Sequence, residues 1–222
     1  MNEILNNGCP RIIRRLDVET PLGVVHLAGF AQKPDHRSVI FDILSEFSGG
    51  PVTASDLQES KQDPRPRFSK LDFDANWTHS AGYCVLAFGA RGSLSDLRIG
   101  VDLERYSPKR LHLAERFFSA EEASYVKSLA VSGSIDPYGE KTAEREFFKL
   151  WCRKEAFYKC VGGDFFEGTL RRPLLNNPVQ LEKAKSPMHG TGDLVKVHFV
   201  DLEGDAVGAT EPSALCIAVS RR

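Results

Sequence analysis

A chain of 222 residues, 41% hydrophobic and 27% charged, is long enough to bury one large core or two small ones and too apolar to stay disordered. Its 29 basic and 30 acidic residues give a formal charge of −1, which excludes a general affinity for nucleic acid and makes any anion site a local one. No run of about 18 apolar residues is present, and "MNEILNNGCPRIIRR" lacks the organisation of a secretory leader, so a cytoplasmic protein without membrane contact is expected. Cys9, Cys84, Cys152, Cys160 and Cys216 are scattered and never form a CxxC pair. They read as reduced core residues, neither a zinc site nor a disulfide framework.

The runs "RIIRRLDV" and "LGVVHLA", parted by "ETPLG", predict two strands joined by a turn. In "DHRSVIFDILSEFSGG" the spacing of Val39, Ile40, Ile43, Leu44 and Phe47 predicts a helix, capped by Asp35 and stopped at Gly49-Gly50. From "PVTASDL" to "KQDPRPRFSK" the chain is polar and proline-rich, which reads as surface loop with a short strand near Phe68. "ANWTHSAGYCVLAFGA" predicts an extended entry, a turn at Ala81-Gly82 and a buried strand over 83–89. In "LRIGVDLERY" Ile99, Val101 and Leu103 alternate with Gly100, Asp102 and Glu104, the pattern of a further strand. A short helix is expected over "LHLAERFF", and "SAEEASYVKSLA" opens a longer one with Ser119 and Glu122 spaced as a capping box. The loop "VSGSIDPYGEKT" leads into "EREFFKLWCRKEAFYKCVGG", a helix ended by Gly162-Gly163. Strand-like runs at "VQLEK", "DLVKVHFVDLE" and "SALCIAVS" complete the chain. The expected fold is α+β, two similar halves in one chain over residues 1–97 and 98–222, each with strands around one long helix.

Residues two apart on a strand share a face, so Asp102 and Glu104 point the same way and repel. Either they form a solvated acidic face, or they bind a hard divalent cation such as Mg²⁺, which takes carboxylate oxygens and is completed by substrate phosphates. A third carboxylate favours the cation. On the long helix Phe148, Trp151, Glu155 and Lys159 fall in one stripe. Glu155 there pairs with Lys159, a contact of about 0.3–0.5 kcal/mol when exposed, or supplies that third carboxylate with Lys159 facing phosphates one turn on. Anion-binding candidates elsewhere are His79 with Thr78 and Ser80, Arg65 and Arg67 in "DPRPRF", and Arg37 and Ser38 at the first helix's opening, where free backbone N–H groups favour anions. Each has an equally simple structural or surface reading.

In order and spacing, "WTHS", "IGVDLE" and "FFKLWCRKEAFYK" resemble the 4'-phosphopantetheinyl transferase superfamily, specifically its longer surfactin-synthetase-activating class, in which two similar halves share one chain. More loosely, "DPRPRF" resembles the family's loop before the histidine motif and "DHRSVIFDIL" its nucleotide-facing helix, so the likeness runs from about Asp35 to Gly163. The resemblance implies an enzyme that moves the phosphopantetheine arm of coenzyme A onto a serine of an apo carrier protein of acyl, peptidyl or polyketide type, releasing adenosine 3',5'-bisphosphate. It implies Mg²⁺ held by Asp102, Glu104 and Glu155, with Lys154 and Lys159 near the pyrophosphate. His79 and Arg65 would meet the 3'-phosphate or adenosine end, and Arg37, Ser38 and Thr78 the nucleotide. Glu155 would also take the serine proton, with Lys159 beside it. Pro64 stands where the family's loop carries glycine, and Lys33 substitutes for basic residues that relatives place before the first helix. The basic and apolar stretch from Arg105 to Lys141, with Lys109, Arg110, Arg116, Tyr125, Val126 and Leu129, is the expected carrier-docking surface. A chain already built of two halves is expected to act as a monomer. The same three acids leave open a magnesium-dependent phosphodiesterase or nucleotidyl transferase acting on CoA-like nucleotides without a carrier.

Overall fold

Two antiparallel sheets carry the chain, each backed by one long helix. The computed structural model describes residues 2–4, 11–32, 35–60, 63–68, 71–91, 97–107, 110–133, 135, 142–162, 168–182 and 194–221. In chain order the first half contributes β1 (Asn2–Ile4), β2 (Arg11–Thr20), β3 (Gly23–Ala31), α1 (His36–Ser48), β4 (Gln58–Ser60), β5 (Asp63–Arg67), β6 (Phe73–Ser80) and β7 (Tyr83–Ala90). The second contributes β8 (Leu97–Arg105), α2 (Leu113–Phe117), α3 (Ala120–Ser132), α4 (Thr142–Val161), β9 (Val179–Glu182), β10 (Leu194–Glu203) and β11 (Ser213–Arg221). The sheets run β1-β2-β3-β7-β6 and β8-β11-β10-β9, with β4 and β5 paired separately. This is the α+β fold of two similar halves.

Alternation along the strands explains the layering. On β7, Cys84, Leu86 and Phe88 face Val39, Ile40, Ile43 and Leu44 of α1, while Val85 and Ala87 face the second sheet. Both faces of β7 are covered, which is why "YCVLAFGA" shows no polar alternation. On β11, Leu215, Ile217 and Val219 meet the first sheet, and Ala214, Cys216 and Ala218 meet α4. Small residues on the helix side let α4 sit close. Gly100 on β8 is the tightest point, because a Cβ there would lie 2.0 Å from the Ala156 carbonyl oxygen and 2.6 Å from the Cys160 nitrogen.

The helix ends mostly follow the sequence. Gly49 and Gly162 take positive φ after α1 and α4, and Ser119 and Glu122 form the capping box of α3. Asp35 does not cap α1 with its side chain. Instead the Ser38 backbone N–H and hydroxyl both donate to the Asp35 carbonyl, at 2.9 and 2.8 Å. The expected surface loop after α1 is also more ordered. Thr53 and Asp56 cap a short 3-10 turn over Ala54–Asp56, and β4 and β5 follow. Pro64 and Pro66 fit β5 because a two-stranded sheet leaves one edge of each strand without a ladder partner.

β8 is an edge strand of the second sheet, yet its outer amides are not bare. β6 turns Asp74, Asn76, Thr78 and Ser80 toward it. Asp74 accepts from the Ile99 N–H at 2.7 Å, Asn76 from that of Val101 at 3.1 Å, and Ser80 from that of Arg105 at 3.3 Å. Side chains thus replace a backbone ladder along the seam between the halves. Beneath it Val25, Leu27 and Val85 of the first sheet pack on Ile99, Leu103 and Ile217 of the second.

Candidate active site

The close approach at Gly100 sets α4 directly over the acidic face of β8. Lys159, near the end of that helix, donates to Asp102 Oδ1 at 2.7 Å and to the Val101 carbonyl at 3.1 Å. Thr78 on β6 donates to the same Oδ1 at 3.0 Å. Asp102 is 4% exposed, and its Oδ2 is buried with no hydrogen-bond partner among the described residues. Lys159 stays charged: burial works against the ammonium, but the Asp102 carboxylate beside it more than offsets that and raises its pKa. The ion pair that Lys159 makes here is this contact across elements, not the i, i+4 pair with Glu155 that one of the two readings of the helix stripe predicts.

Glu104 and Glu155 carry the rest of the cluster. Burial and then the Asp102 charge push the Glu104 carboxyl up to about 7, against the pull of Arg110, whose Nη1 lies 3.5 Å from Oε2. Burial and then Asp102 likewise push Glu155 up to about 7, with Glu104 adding and Lys159 opposing. Among the described residues no three acidic, histidine or cysteine side chains converge as a finished metal cage. The three carboxylates are instead close enough to repel, with one buried oxygen unsatisfied. Hard oxygen donors of this kind suit Mg²⁺, and a divalent cation would relieve both the repulsion and the orphaned Oδ2. The Cys152 thiol packs here too, but complete burial and the Asp102 charge hold it well above its ordinary range, so it is inert.

A second copy of the motif shows what a purely structural pair looks like. The tetrapeptide VDLE occurs at 101–104 on β8 and at 200–203 on β10. The two copies lie in register across β11, Asp102, Cys216 and Asp201 in one row, Glu104, Ala214 and Glu203 in the next. Around the second copy α4 supplies arginines: Arg153 Nε donates to Asp201 at 2.9 Å, and Arg145 Nη2 to Glu203 at 2.7 Å. The Tyr106 hydroxyl completes Glu203 at 2.7 Å. Forked guanidinium contacts neutralise that pair outright. Only the first copy keeps an unsatisfied carboxylate oxygen.

The other predicted residues divide. His79 is exposed at the end of β6, its ring centroid 6.2 Å from that of His36, the first residue of α1, so Arg37, Ser38 and His79 share one end of the first half. His36 belongs with them and was missed; "DHRS" at a helix start was its only signal. Thr78 is 5% exposed and engaged by Asp102, and does not present its hydroxyl to solvent. The backbone of Arg65 and Arg67 lies in β5, while their side chains, like Cys9, Lys33 and Lys109, fall outside the described residues. Lys154 does not join the carboxylates. It is fully buried on another face of α4, its ammonium bonded to Glu122 Oε1 and Oε2 at 3.1 and 2.8 Å and to the Arg172 carbonyl at 2.7 Å. Three partners exhaust its three donors, leaving none for a phosphate.

The chain is thus two similar α+β halves, with three mutually repelling carboxylates on the second. The 4'-phosphopantetheinyl transferase superfamily profile matches residues 98–214, more than half of the chain, and the protein belongs to that superfamily. It is 37% identical over 93 residues to 4'-phosphopantetheinyl transferase psf-1 of Bacillus pumilus, covering 40% of this chain and 32% of that protein. Over 189 residues it is 29% identical to 4'-phosphopantetheinyl transferase ffp of Bacillus subtilis, covering 78% of this chain and 73% of the relative. Against 4'-phosphopantetheinyl transferase Sfp of Bacillus subtilis strain 168 the identity is 31% over 139 residues, 60% of this chain and 55% of the relative. The chain thus spans about a third of the Bacillus pumilus relative and about three quarters of ffp.

Proposed function

We propose that this protein transfers the 4'-phosphopantetheine arm of coenzyme A to a serine hydroxyl of an apo carrier protein and releases adenosine 3',5'-bisphosphate. The observation that carries the proposal is the cluster of Asp102, Glu104 and Glu155, with its buried unpartnered oxygen and two carboxyls raised to about 7. Asp102, Glu104 and Glu155 would hold Mg²⁺, which when bound supplies charge neutralisation to the pyrophosphate. The chain's own residues do the rest. His79, His36 and Arg37 draw the anionic nucleotide end to the first half, whereas the Ser38 hydroxyl is spent on the Asp35 carbonyl at 2.8 Å. Lys159, charged and anchored on β8, faces the pyrophosphate. The serine oxygen forms a bond to the phosphorus that carries the pantetheine arm, the bond from that phosphorus to the bridging oxygen breaks, and the leaving oxygen departs with the bisphosphate. Glu155, a carboxylate when it holds the cation, is the group that accepts the serine proton.

The carrier docks on α2, α3 and the chain just after α3. Val131 is 82% exposed, Ile135 67% and Tyr125 37%, with Arg116 exposed nearby, a combination suited to an acidic partner with an apolar contact. We place the reaction in the cytoplasm, where the four described cysteines stay free as they are here, and on a single chain, since both halves of the site are already present. No described helix is long and apolar enough to cross a membrane.

Incubation with CoA, Mg²⁺ and an apo carrier protein tests the function. Intact mass should show a phosphopantetheine adduct, and Glu155→Gln should abolish it. CoA hydrolysis without an adduct across several carrier types would overturn the reading. In the same assay Val131→Asp should raise the carrier KM and leave the CoA KM alone; a carrier KM that does not move would remove α3 as the docking surface.

A further inference from the structure

Four side chains of β6 reach β8, and one of them behaves differently. Asp74, Asn76 and Ser80 each accept a hydrogen bond from a β8 backbone amide, so their part is to satisfy a sheet edge. Thr78 instead donates, and to a side chain: its hydroxyl meets Asp102 Oδ1 at 3.0 Å, in a place where threonine is 5% exposed and aspartate 4%. Lys159 meets the same oxygen at 2.7 Å from the opposite side of the seam. Two donors on Oδ1 and, among the described residues, none on Oδ2 fix the plane of the carboxylate and leave one buried oxygen without a partner there.

We infer that Thr78 is a positioning residue for the reaction proposed above, holding Asp102 so that Oδ2 is presented to the divalent cation. The inference rests on that reading of the cluster. It reassigns Thr78 from a nucleotide contact, which its burial and its engaged hydroxyl do not permit, to the orientation of a ligand. It also makes the cluster a joint product of the two halves. Thr78 comes from β6, whereas Asp102, Glu104, Glu155 and Lys159 all come from β8 and α4. A hydroxyl is the right group here, since it donates to the carboxylate without adding a charge that would compete with the cation. Lysine alone would leave the carboxylate free to swing about its one contact.

The test separates orientation from seam stability and from nucleotide contact. Thr78→Val keeps the shape and removes the hydroxyl; Thr78→Ser keeps the hydroxyl. Mn²⁺ affinity is measured by electron paramagnetic resonance on the protein without CoA, and binding of adenosine 3',5'-bisphosphate by calorimetry without metal. Thr78→Val should weaken Mn²⁺ binding about 10- to 100-fold, the usual effect of losing a group that orients a ligand. Thr78→Ser should restore most of it, and bisphosphate binding should change in neither. Unaltered Mn²⁺ affinity in Thr78→Val, with only a lower melting temperature, would reduce Thr78 to a structural seam residue and overturn the inference. Weaker bisphosphate binding with unaltered Mn²⁺ affinity would return it to the nucleotide. If the valine chain does not fold, Thr78→Ala gives the same comparison. Failure of the unaltered protein to bind Mn²⁺ at all would instead sink the metal assignment itself, a distinct outcome.

Discussion

Glu104 and Glu155 turn the site into a source of pH dependence. Both carry carboxyls near 7 in the folded chain against 4.5 for an unperturbed glutamate, through burial first and the Asp102 charge second. Between those values the folded state holds more protons than the unfolded one, so stability falls as pH rises through the window. Asp74, also raised chiefly by burial, adds in the same direction. The melting temperature without metal should therefore drop between about pH 5 and about pH 7.5, and Mg²⁺ should recover the loss at the upper end. A profile that is flat over that range by calorimetry would show that the carboxylates are not desolvated together. Lys154 makes the opposite kind of prediction. Its burial lowers its pKa and only Glu122 keeps it charged, so Lys154→Met strands a buried glutamate. That should cost about 3–5 kcal/mol in urea unfolding and leave CoA affinity of the folded protein unchanged. A stable variant with lost CoA affinity would put the ammonium back on a phosphate. The family resemblance groups Lys154 with Lys159, the two lysines that flank Glu155 on one helix. Their partners decide otherwise, and Glu122 lies 32 residues away, where no local pattern reaches.

Elements explain why Asp102, Glu104 and Glu155 were legible and the Thr78 contact was not. Period two on β8 and period 3.6 on α4 are local properties, and each fixes which way a carboxylate points. How near the two elements come is not local; it depends on Gly100 of β8 meeting the backbone of α4. Gly100→Ala forces its Cβ to within 2.0 Å of the Ala156 carbonyl oxygen, so α4 must lift from the sheet. We expect a loss of about 3 kcal/mol or more and a fall in transfer rate, because Lys159 and Glu155 move with the helix. Gly50→Ala, where an added Cβ meets nothing within 4 Å, is the control and should be close to neutral. Equal melting temperatures for the two variants would show that the helix seat is softer than its packing suggests. The polar loop after α1 carries the expected short strand near Phe68 as β5, while its further order comes from the Thr53 and Asp56 cap and from pairing with β4, which a reading of proline content misses.

At the scale of the whole molecule the two halves are not separable parts. The sequence showed two sets of strands around two helices, but not that β6 would lie against the edge of β8 and close it with carboxylate, amide and hydroxyl groups. That closure has a consequence for any attempt to divide the chain. A fragment of residues 97–222 would expose the Ile99 and Val101 amides at an edge, backed by Leu103, Leu215 and Ile217, which the first half now covers. An uncapped, apolar edge strand recruits other strands. The fragment should run on gel filtration as a dimer or larger species, and adding the first half in trans should disperse it; a stable monomeric fragment would contradict this. The same side chains that bring Thr78 to Asp102 therefore also guard the protein against templated self-association, so a substitution along β6 can register as aggregation before it registers as lost chemistry.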